Sequence, residues 1–514
     1  MSGQNAVIEF LGRPETHGVL DVQRFETHGN LVFLAGQDAY KIKRAVRFDY
    51  MDFSTLEKRR LACQREVEIN RRWTPDLYLG CVPIKRRPDG ALSLAGEGET
   101  VEWAVHMRRF DQDDLLSSYA ARVPIDRQLA TQLADAVHLS HEKAERIANA
   151  AGIASYRTLS ESIFHGLAMA KVFEQADIQR LGAAVDRQLA RAAAIVDERA
   201  AHGYVRRCHG DLHLANIVLR NGVPTLYDAI EFDETLAVID TLYDLAFLLM
   251  DLDFRGQRPA ANVVLNRYLW RSGDERDLRG LAALPLFMAL RATVRARVTI
   301  DRAAQETGQT RNCDLDLAHR YLAEALGLAV PPPPRLVVVA GLSGTGKTTL
   351  AAALRPGLGA APGAVHFRSD LERKALAGVG EFERLPAESY APQARQNVYA
   401  RLHGKVALAL EAQHSVIVDA VYDNEGNRSD VEELAKCLGI PFFGLWLQAE
   451  PATLVARVTG RRHDASDATP DVVRRQLAAD TGHLSPRWTT LDAGRSPTDL
   501  ATAALAVIGA STQR

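Results

Sequence analysis

Apolar and polar positions change their period several times along the chain, and each change marks an element. In LVFLAGQDAYKIK (31–43) two short apolar runs flank a Gly-Gln-Asp turn, which predicts two paired strands. STLEKRRLACQREVEINRRW (54–73) has helical character, with Ser54 as N-cap and Glu57 completing a capping box. CVPIK (81–85) and VEWAVHMRRF (101–110) predict further strands. From Ile125 to about Ala200 the chain is Ala/Leu-rich with helical period, and that period resumes after residue 232 up to Leu328. Between them, CHGDLHLANIVLRNGVPTLYDAIEF (208–232) contains two short strands around Asn221-Gly222, a pair suited to the φ > 0 positions of a tight hairpin. The pattern describes a small β-rich lobe with one helix (about 1–110) and a helical lobe with an embedded hairpin (about 111–330).

Pro331–Pro334 cannot be helical and tends to stay extended, so 331–334 is expected to link two domains, 1–330 and 335–514. Beyond it LVVVA, AVHFRSD, HSVIVDA and FFGLWL alternate with helical segments, as in an α/β domain with a parallel sheet. A length of 514 residues agrees with more than one core. A net charge of −2 argues against generic nucleic-acid binding. Five dispersed cysteines with no CxxC read as reduced, buried thiols of a cytoplasmic protein. No signal peptide and no apolar run of about 18 residues is seen, so no membrane association is expected.

Candidate chemistry appears first in HGDLHLAN (209–216). The hairpin brings Asn216, entering its first strand, and Asp228, leaving its second, to the same end. An amide oxygen beside a carboxylate suits Mg2+, which takes oxygen ligands and completes its shell with phosphate and water. Asp211, one short loop earlier, is placed to accept a proton from a hydroxyl. Asp, Asn five residues later, and Asp across a hairpin is an arrangement used for phosphoryl transfer. Upstream, Lys41 and Lys43 point to one face of a strand, where either could meet nucleotide phosphates. Glu66 on the following helix could hold that lysine; its plainer partners are Arg65 and Arg72. No G-x-G-x-x-G precedes the lysines, and ETHGN (26–30) occupies that place.

A second site follows the prolines. GLSGTGKT (341–348) is a full G-x-x-x-x-G-K-T between an apolar strand and a helix. Gly341, Ser343, Gly344, Thr345, Gly346 and the following Thr349 would surround phosphates with backbone N–H groups. Lys347 would reach the β- and γ-phosphates, and Thr348 would ligate Mg2+ together with Asp419, which ends SVIVDA. RSDLERK (368–374) offers Asp370 to orient or deprotonate an acceptor hydroxyl and Arg373 to grip an anionic group. Arg457, Arg461 and Arg462 fall in a lid-like helix and loop, where they would neutralise charge on a transferring phosphoryl group.

On HGDLHLAN, YDAIEFDE (227–234) and IDTLYDLAFL (239–248), residues 1–330 resemble the aminoglycoside phosphotransferase and choline kinase branch of the two-lobed, protein-kinase-like α+β fold. The resemblance implies Asp211 as catalytic base, Asn216 and Asp228 as Mg2+ ligands, and His209 as a loop-shaping residue. Residues 335–514 resemble P-loop kinases of the gluconate kinase and zeta-toxin kind, and the whole layout is similar to bacterial two-domain proteins that join the two. A polycationic substrate would want carboxylates, and Glu231, Asp233, Glu234, Asp251 and Asp253 are available. Arg291 and Arg295 on one helical face, with Arg297 nearby, would favour an anionic acceptor if they line the cleft and mean nothing if solvated. The expected function is a bifunctional ATP- and Mg2+-dependent phosphotransferase acting on small-molecule hydroxyls, with no nucleic-acid partner. The alternative is one catalytic domain regulated by a second that only binds nucleotide.

Overall fold

The computed structural model describes residues 2–27, 29–48, 51–460 and 465–510. Contacts divide the chain into two compact units, one of residues 1–185, 196–260 and 287–325, the other of 186–195, 261–286 and 326–514.

The first unit carries a six-stranded antiparallel sheet built from β1 (Val22–Glu26), β2 (Asn30–Ala35), β3 (Asp38–Lys43), β4 (Tyr78–Arg86), β5 (Leu92–Leu94) and β6 (Glu99–Arg108), in the order β1-β2-β3-β6-β4-β5. Helix Leu56–Asn70 follows β3, and Ser2–Gly12 and Pro14–His17 precede β1, so this region holds more than the one helix expected. The N-cap of Leu56–Asn70 is Thr55, whose side chain accepts from Lys58 N–H, and not Ser54, which instead bonds Asp52. Glu57 is accordingly free of a capping box and pairs with Arg60. Cys63, Val67, Leu77, Tyr78, Val105 and Met107 form the core beneath this sheet.

The helical lobe contains Arg127–Lys143, Ile153–Ala170, Gln175–Ala201, Thr241–Phe254 and Leu284–Ala303 among its helices. Its hairpin pairs β7 (Ile217–Arg220) with β8 (Val223–Leu226). Asn221 and Gly222 have φ of 52° and 77°, the left-handed pair that closes a two-residue turn compatible with strand twist. Tyr227 N–H then donates to Asn216 O, so the residues flanking Asp228 stay beside Asn216.

The second unit carries a five-stranded, wholly parallel sheet of β9 (Leu336–Gly341), β10 (Val365–Arg368), β11 (Val416–Asp419), β12 (Phe442–Gln448) and β13 (Trp488–Asp492). Its order is β10-β11-β9-β12-β13. Every residue of β9 is buried, as expected of a strand covered on both faces. Leu350, Ala351 and Leu354 of helix Lys347–Leu354 pack on one side with Leu500, Ala504 and Ile508. Within this unit Asn262 and Asn266 bond Ala364 O, and His366 N–H donates to Asn266, which satisfies backbone groups of the edge strand β10. The chain direction reverses its strand order between β9 and β11, the position where open α/β sheets bind ligands.

Among the described residues no helix is long and apolar enough to cross a membrane. The five cysteines are free thiols, as their spacing implies. They are not uniformly buried: Cys313 and Cys437 are exposed on helices, because their positions fall outside the apolar stripes.

Candidate active sites

In the first unit the hairpin and the small-lobe sheet assemble one charged cluster from distant segments. Lys41 Nζ lies 3.0 Å from Glu66 Oε1 and 2.5 Å from Asp228 Oδ1. Lys43 Nζ lies 2.6 Å from Glu66 Oε2 and also pairs with Glu231. Both lysines therefore share Glu66, but only Lys41 touches Asp228; Lys43 is fully buried. Arg65 and Arg72, the plainer partners for Glu66, pair with Glu68 instead. Burial alone would raise the Glu66 pKa, yet the two ammonium groups hold it at about 2. For Lys41 burial opposes the charge, but Asp228 and Glu66 carry its pKa well above the usual lysine value.

The loop 209–216 is shaped by His209. Asp211 N–H donates to His209 Nδ1, so the ring proton resides on Nε2, which donates to Tyr227 O at 2.9 Å. Burial lowers the His209 pKa, in keeping with a neutral ring in that role. Asn216 Nδ2 donates to both the Asp211 carbonyl and its carboxylate at 2.9 Å, which leaves Oδ1 as the oxygen Asn216 can offer a cation. Asp228 stands across the hairpin end with 34 % of its side chain exposed, so a hard cation could reach an amide and a carboxylate oxygen there. Asp211, 39 % exposed, opens toward solvent, and His213 lies 3.4 Å from its Oδ2. Burial would raise the Asp211 pKa, but His213, Arg295 and His209 bring it below the ordinary carboxylate value. An ionised, partly exposed carboxylate is competent to accept a hydroxyl proton. The β1–β2 hairpin occupies the place of a glycine-rich roof, its turn held by Asn30 N–H donating to Thr27 Oγ1; His28 of ETHGN lies outside the described residues.

In the second unit the phosphate loop follows β9 directly. Gly344 has φ 92°, and a Cβ there would meet Leu454 O at 2.7 Å, so only glycine fits. Gly341 and Gly346 also take positive φ. Ser343 N–H donates to Gln476 Oε1, showing one loop amide aimed at an acceptor. Lys347 Nζ donates to Leu342 O, and Thr348 Oγ1 donates to Asp419 Oδ2, which puts two oxygen ligands for a cation side by side. His366 Nε2 and Arg368 Nε each lie 3.7 Å from the same carboxylate oxygen. Burial would raise the Asp419 pKa, but His366, Arg368 and Lys347 lower it to about 2, and burial lowers His366 to about 4. Asp370 and Arg373 pair across one helical turn at 3.2 Å, and the Arg373 guanidinium sits 4.7 Å over the Tyr390 ring. Thr349 is exposed. Arg457 donates to Ala493 O; Arg461 and Arg462 lie outside the described residues.

Two family models match the chain. The phosphotransferase enzyme family matches residues 99–284, and an AAA domain model matches residues 336–482. The uncharacterized protein Rv2004c of Mycobacterium tuberculosis H37Rv is 31% identical over 495 residues, covering 92% of this chain and 94% of its own. The uncharacterized protein Mb2027c of Mycobacterium bovis matches to the same extent. The chain belongs to this family. Its two kinase-type domains make it a phosphotransferase. Similar solved structures include a Janibacter sugar kinase (24% identity, TM-score 0.26, 34% of this chain and 95% of that one). Another is the GDP complex of aminoglycoside 2'-phosphotransferase-IIIa (14%, 0.37, 59% and 93%).

Several residues in this family member have roles that differ from the sequence reading. The five acids considered for a polycation pocket are all committed within the first unit. Glu231 pairs with Lys43, Asp233 caps the next helix, and Glu234 binds Arg65 and Arg207. Asp251 accepts from Leu214 N–H and binds Arg255, while Asp253 binds Arg258. Arg291 is not solvated: it is buried over the Tyr243 and Phe247 rings. Arg295 is half-buried, with its guanidinium 5.6 Å over Tyr321. Burial would lower its pKa, but Tyr321, Asp211 and Asp251 raise it.

Three contributors were missed. Asp244, buried in helix Thr241–Phe254, accepts from His209 N–H and Gly210 N–H and so fixes the loop ahead of Asp211. An acid flanked by the apolar residues of LYDLAFLL was the available signal, since a buried charge requires partners. Tyr78 accepts from Asp228 N–H across 150 residues and Asn70 from Ala229 N–H across 159, with no local sequence mark.

Proposed function

We propose that the chain is a bifunctional, ATP- and Mg2+-dependent phosphotransferase that moves the γ-phosphate to small-molecule hydroxyls, one acceptor in each domain, with the domains divided at 331–334. The observation that supports this reading is that two separate constellations hold side chains suited to phosphoryl transfer. One is Lys41–Glu66 with Asp211, Asn216 and Asp228. The other is the phosphate loop with Thr348–Asp419 and Asp370–Arg373.

In the first domain Lys41 would bind nucleotide phosphates while Glu66 orients it. Asn216 and Asp228 would hold Mg2+, which supplies charge neutralisation at the phosphates when bound. Asp211 would take the acceptor proton at its exposed carboxylate. In the second domain the amides of residues 341–349 would surround the phosphates, Lys347 would contact the β- and γ-groups, and Thr348 and Asp419 would hold the cation. Asp370 would position the acceptor hydroxyl and Arg373 its anionic group. The commitment of all five candidate acids in the first domain, with Arg295 beside Asp211, supports a neutral or anionic acceptor there over a polycation. A cytoplasmic location and the absence of a nucleic-acid partner belong to the same proposal.

The test is transfer from γ-labelled ATP into a fractionated metabolite extract by wild type, Asp211→Asn and Lys347→Ala. Loss of a different labelled product in each variant supports two kinases. Loss of one common product by either variant overturns bifunctionality and favours regulation of one domain by the other.

A further inference from the structure

Asp228 has φ 61°, a left-handed backbone that a non-glycine residue keeps only where its surroundings hold it. Two consecutive amides at this turn are met by side chains from the small lobe. Asp228 N–H donates to Tyr78 Oη at 3.0 Å, and Ala229 N–H donates to Asn70 Oδ1 at 3.0 Å. Both side chains are completely buried. Asn70 is itself held at three points. Its Nδ2 donates to Glu66 O at 2.9 Å, and Thr74 N–H and Oγ1 donate to Asn70 O at 2.9 and 3.0 Å. Glu66 and Asn70 stand one helical turn apart, so a single turn of Leu56–Asn70 holds Lys41 by one residue and the backbone after Asp228 by the other. Burial, with Glu66 and Asp228 close by, pushes the Tyr78 phenol well above its ordinary pKa, so it remains a neutral acceptor.

We propose that Tyr78 and Asn70 are positioning residues for Asp228: their two hydrogen bonds hold the left-handed turn that presents its carboxylate to a cation beside Asn216. Without them two buried N–H groups lose their partners, and the turn relaxes toward ordinary φ, which swings the carboxylate away. Full burial keeps both side chains from meeting nucleotide or acceptor, so on this proposal their effect appears only through the metal. The inference rests on the reading of Asp228 as a Mg2+ ligand.

The experiment uses the full chain with Lys347→Ala, which silences the phosphate loop, and measures ATP affinity by calorimetry in saturating Mg2+ and in EDTA. Tyr78→Phe and Asn70→Ala are each expected to weaken Mg·ATP binding about tenfold, the size of one lost buried hydrogen bond. Affinity in EDTA should change less than twofold, and the Mg2+ concentration for half-saturation should rise in step. Equal weakening in both conditions, or none, overturns the proposal, as does an effect confined to the melting temperature. Asp228→Asn is the reference. If it too leaves the Mg2+ dependence unchanged, the metal reading fails and takes the positioning role with it. If Asp228→Asn removes the dependence while Tyr78→Phe and Asn70→Ala preserve it, the positioning role alone fails. Asn70→Ala serves if Tyr78→Phe does not fold, because the two bonds act on adjacent amides.

Discussion

The two candidate sites reach similar chemistry by opposite construction. In the second unit the phosphate loop, Lys347 and Thr348 come from eight consecutive residues between β9 and the helix it opens, and only Asp419 and the Asp370–Arg373 pair arrive from elsewhere. Backbone amides do most of the work, so the site depends on glycine geometry. In the first unit the cluster joins residues 41, 43, 66, 228 and 231, brought together across as many as 188 positions by interlocking ion pairs. A local site tolerates loss of distant packing better than loss of one glycine. A site assembled from buried opposite charges depends instead on every partner being present.

The largest expected effects separate the two sites. Asp211→Asn should reduce transfer by the first unit at least about a thousandfold, and Lys347→Ala should do so for the second, each leaving the other product unchanged in the labelled-ATP assay. Next comes the contrast within the lysine pair. Lys43→Ala would leave Glu66 and Glu231 short of a buried partner and should destabilise the first unit by about 3–5 kcal/mol in urea unfolding. Lys41→Ala retains the Lys43–Glu66 pair, so its stability loss should be smaller and its loss of ATP affinity larger. If Lys43→Ala were the milder of the two in unfolding, the structural assignment of Lys43 would be wrong.

Acid sharpens the comparison further. His366 and His414 of the second unit are held by burial at about 4, below the unfolded value near 6.5. Their contribution is fully present above pH 6.5 and is lost as pH falls toward 4, because the unfolded chain takes up protons first. On the order of 3 kcal/mol each is at stake. Glu66 in the first unit is depressed from 4.5 to about 2, so its contribution persists to about pH 4.5 and is lost only below it. His209 of the first unit is also lowered by burial, but the second unit holds two such histidines, so urea unfolding read by proteolysis of each half should show the second unit weakening more between pH 6.5 and 4.5. A smaller effect is expected from Gly344→Ala: strain at φ 92° and contact with Leu454 O should cost about 1–3 kcal/mol and lower ATP affinity at the second site only.

The legibility of each site follows from the same contrast. GLSGTGKT could be placed on a strand-to-helix turn because its glycines, lysine and threonine are contiguous and each has a stereochemical reason to be there. The hairpin was equally legible, since Asn221-Gly222 carries the left-handed turn and sets Asn216 and Asp228 at one end. The partners of Lys41 and Lys43 were not. Strand alternation put both lysines on one face, but only the packing of helix Leu56–Asn70 determined that they share Glu66 and that Lys41 alone meets Asp228. Ser54 read as the cap of this helix, but Thr55 takes that place because Ser54 bonds Asp52. The acids from 231 to 253 were available to a polycation pocket by sequence, and tertiary contacts gave each a cation or an amide instead.

Residue order by itself determined most of the elements, the two-part division of chemistry and the candidate groups for moving a phosphoryl unit, since periodicity, turn stereochemistry and contiguous motifs act over a few residues. Tertiary structure decided which charge meets which, how the strained turn at Asp228 is held by Tyr78 and Asn70, and which cations surround Asp211 and Asp419. Those choices depend on burial and on contacts between distant segments, where a displacement of a few ångströms exchanges one partner for another, and no local rule of sequence encodes them.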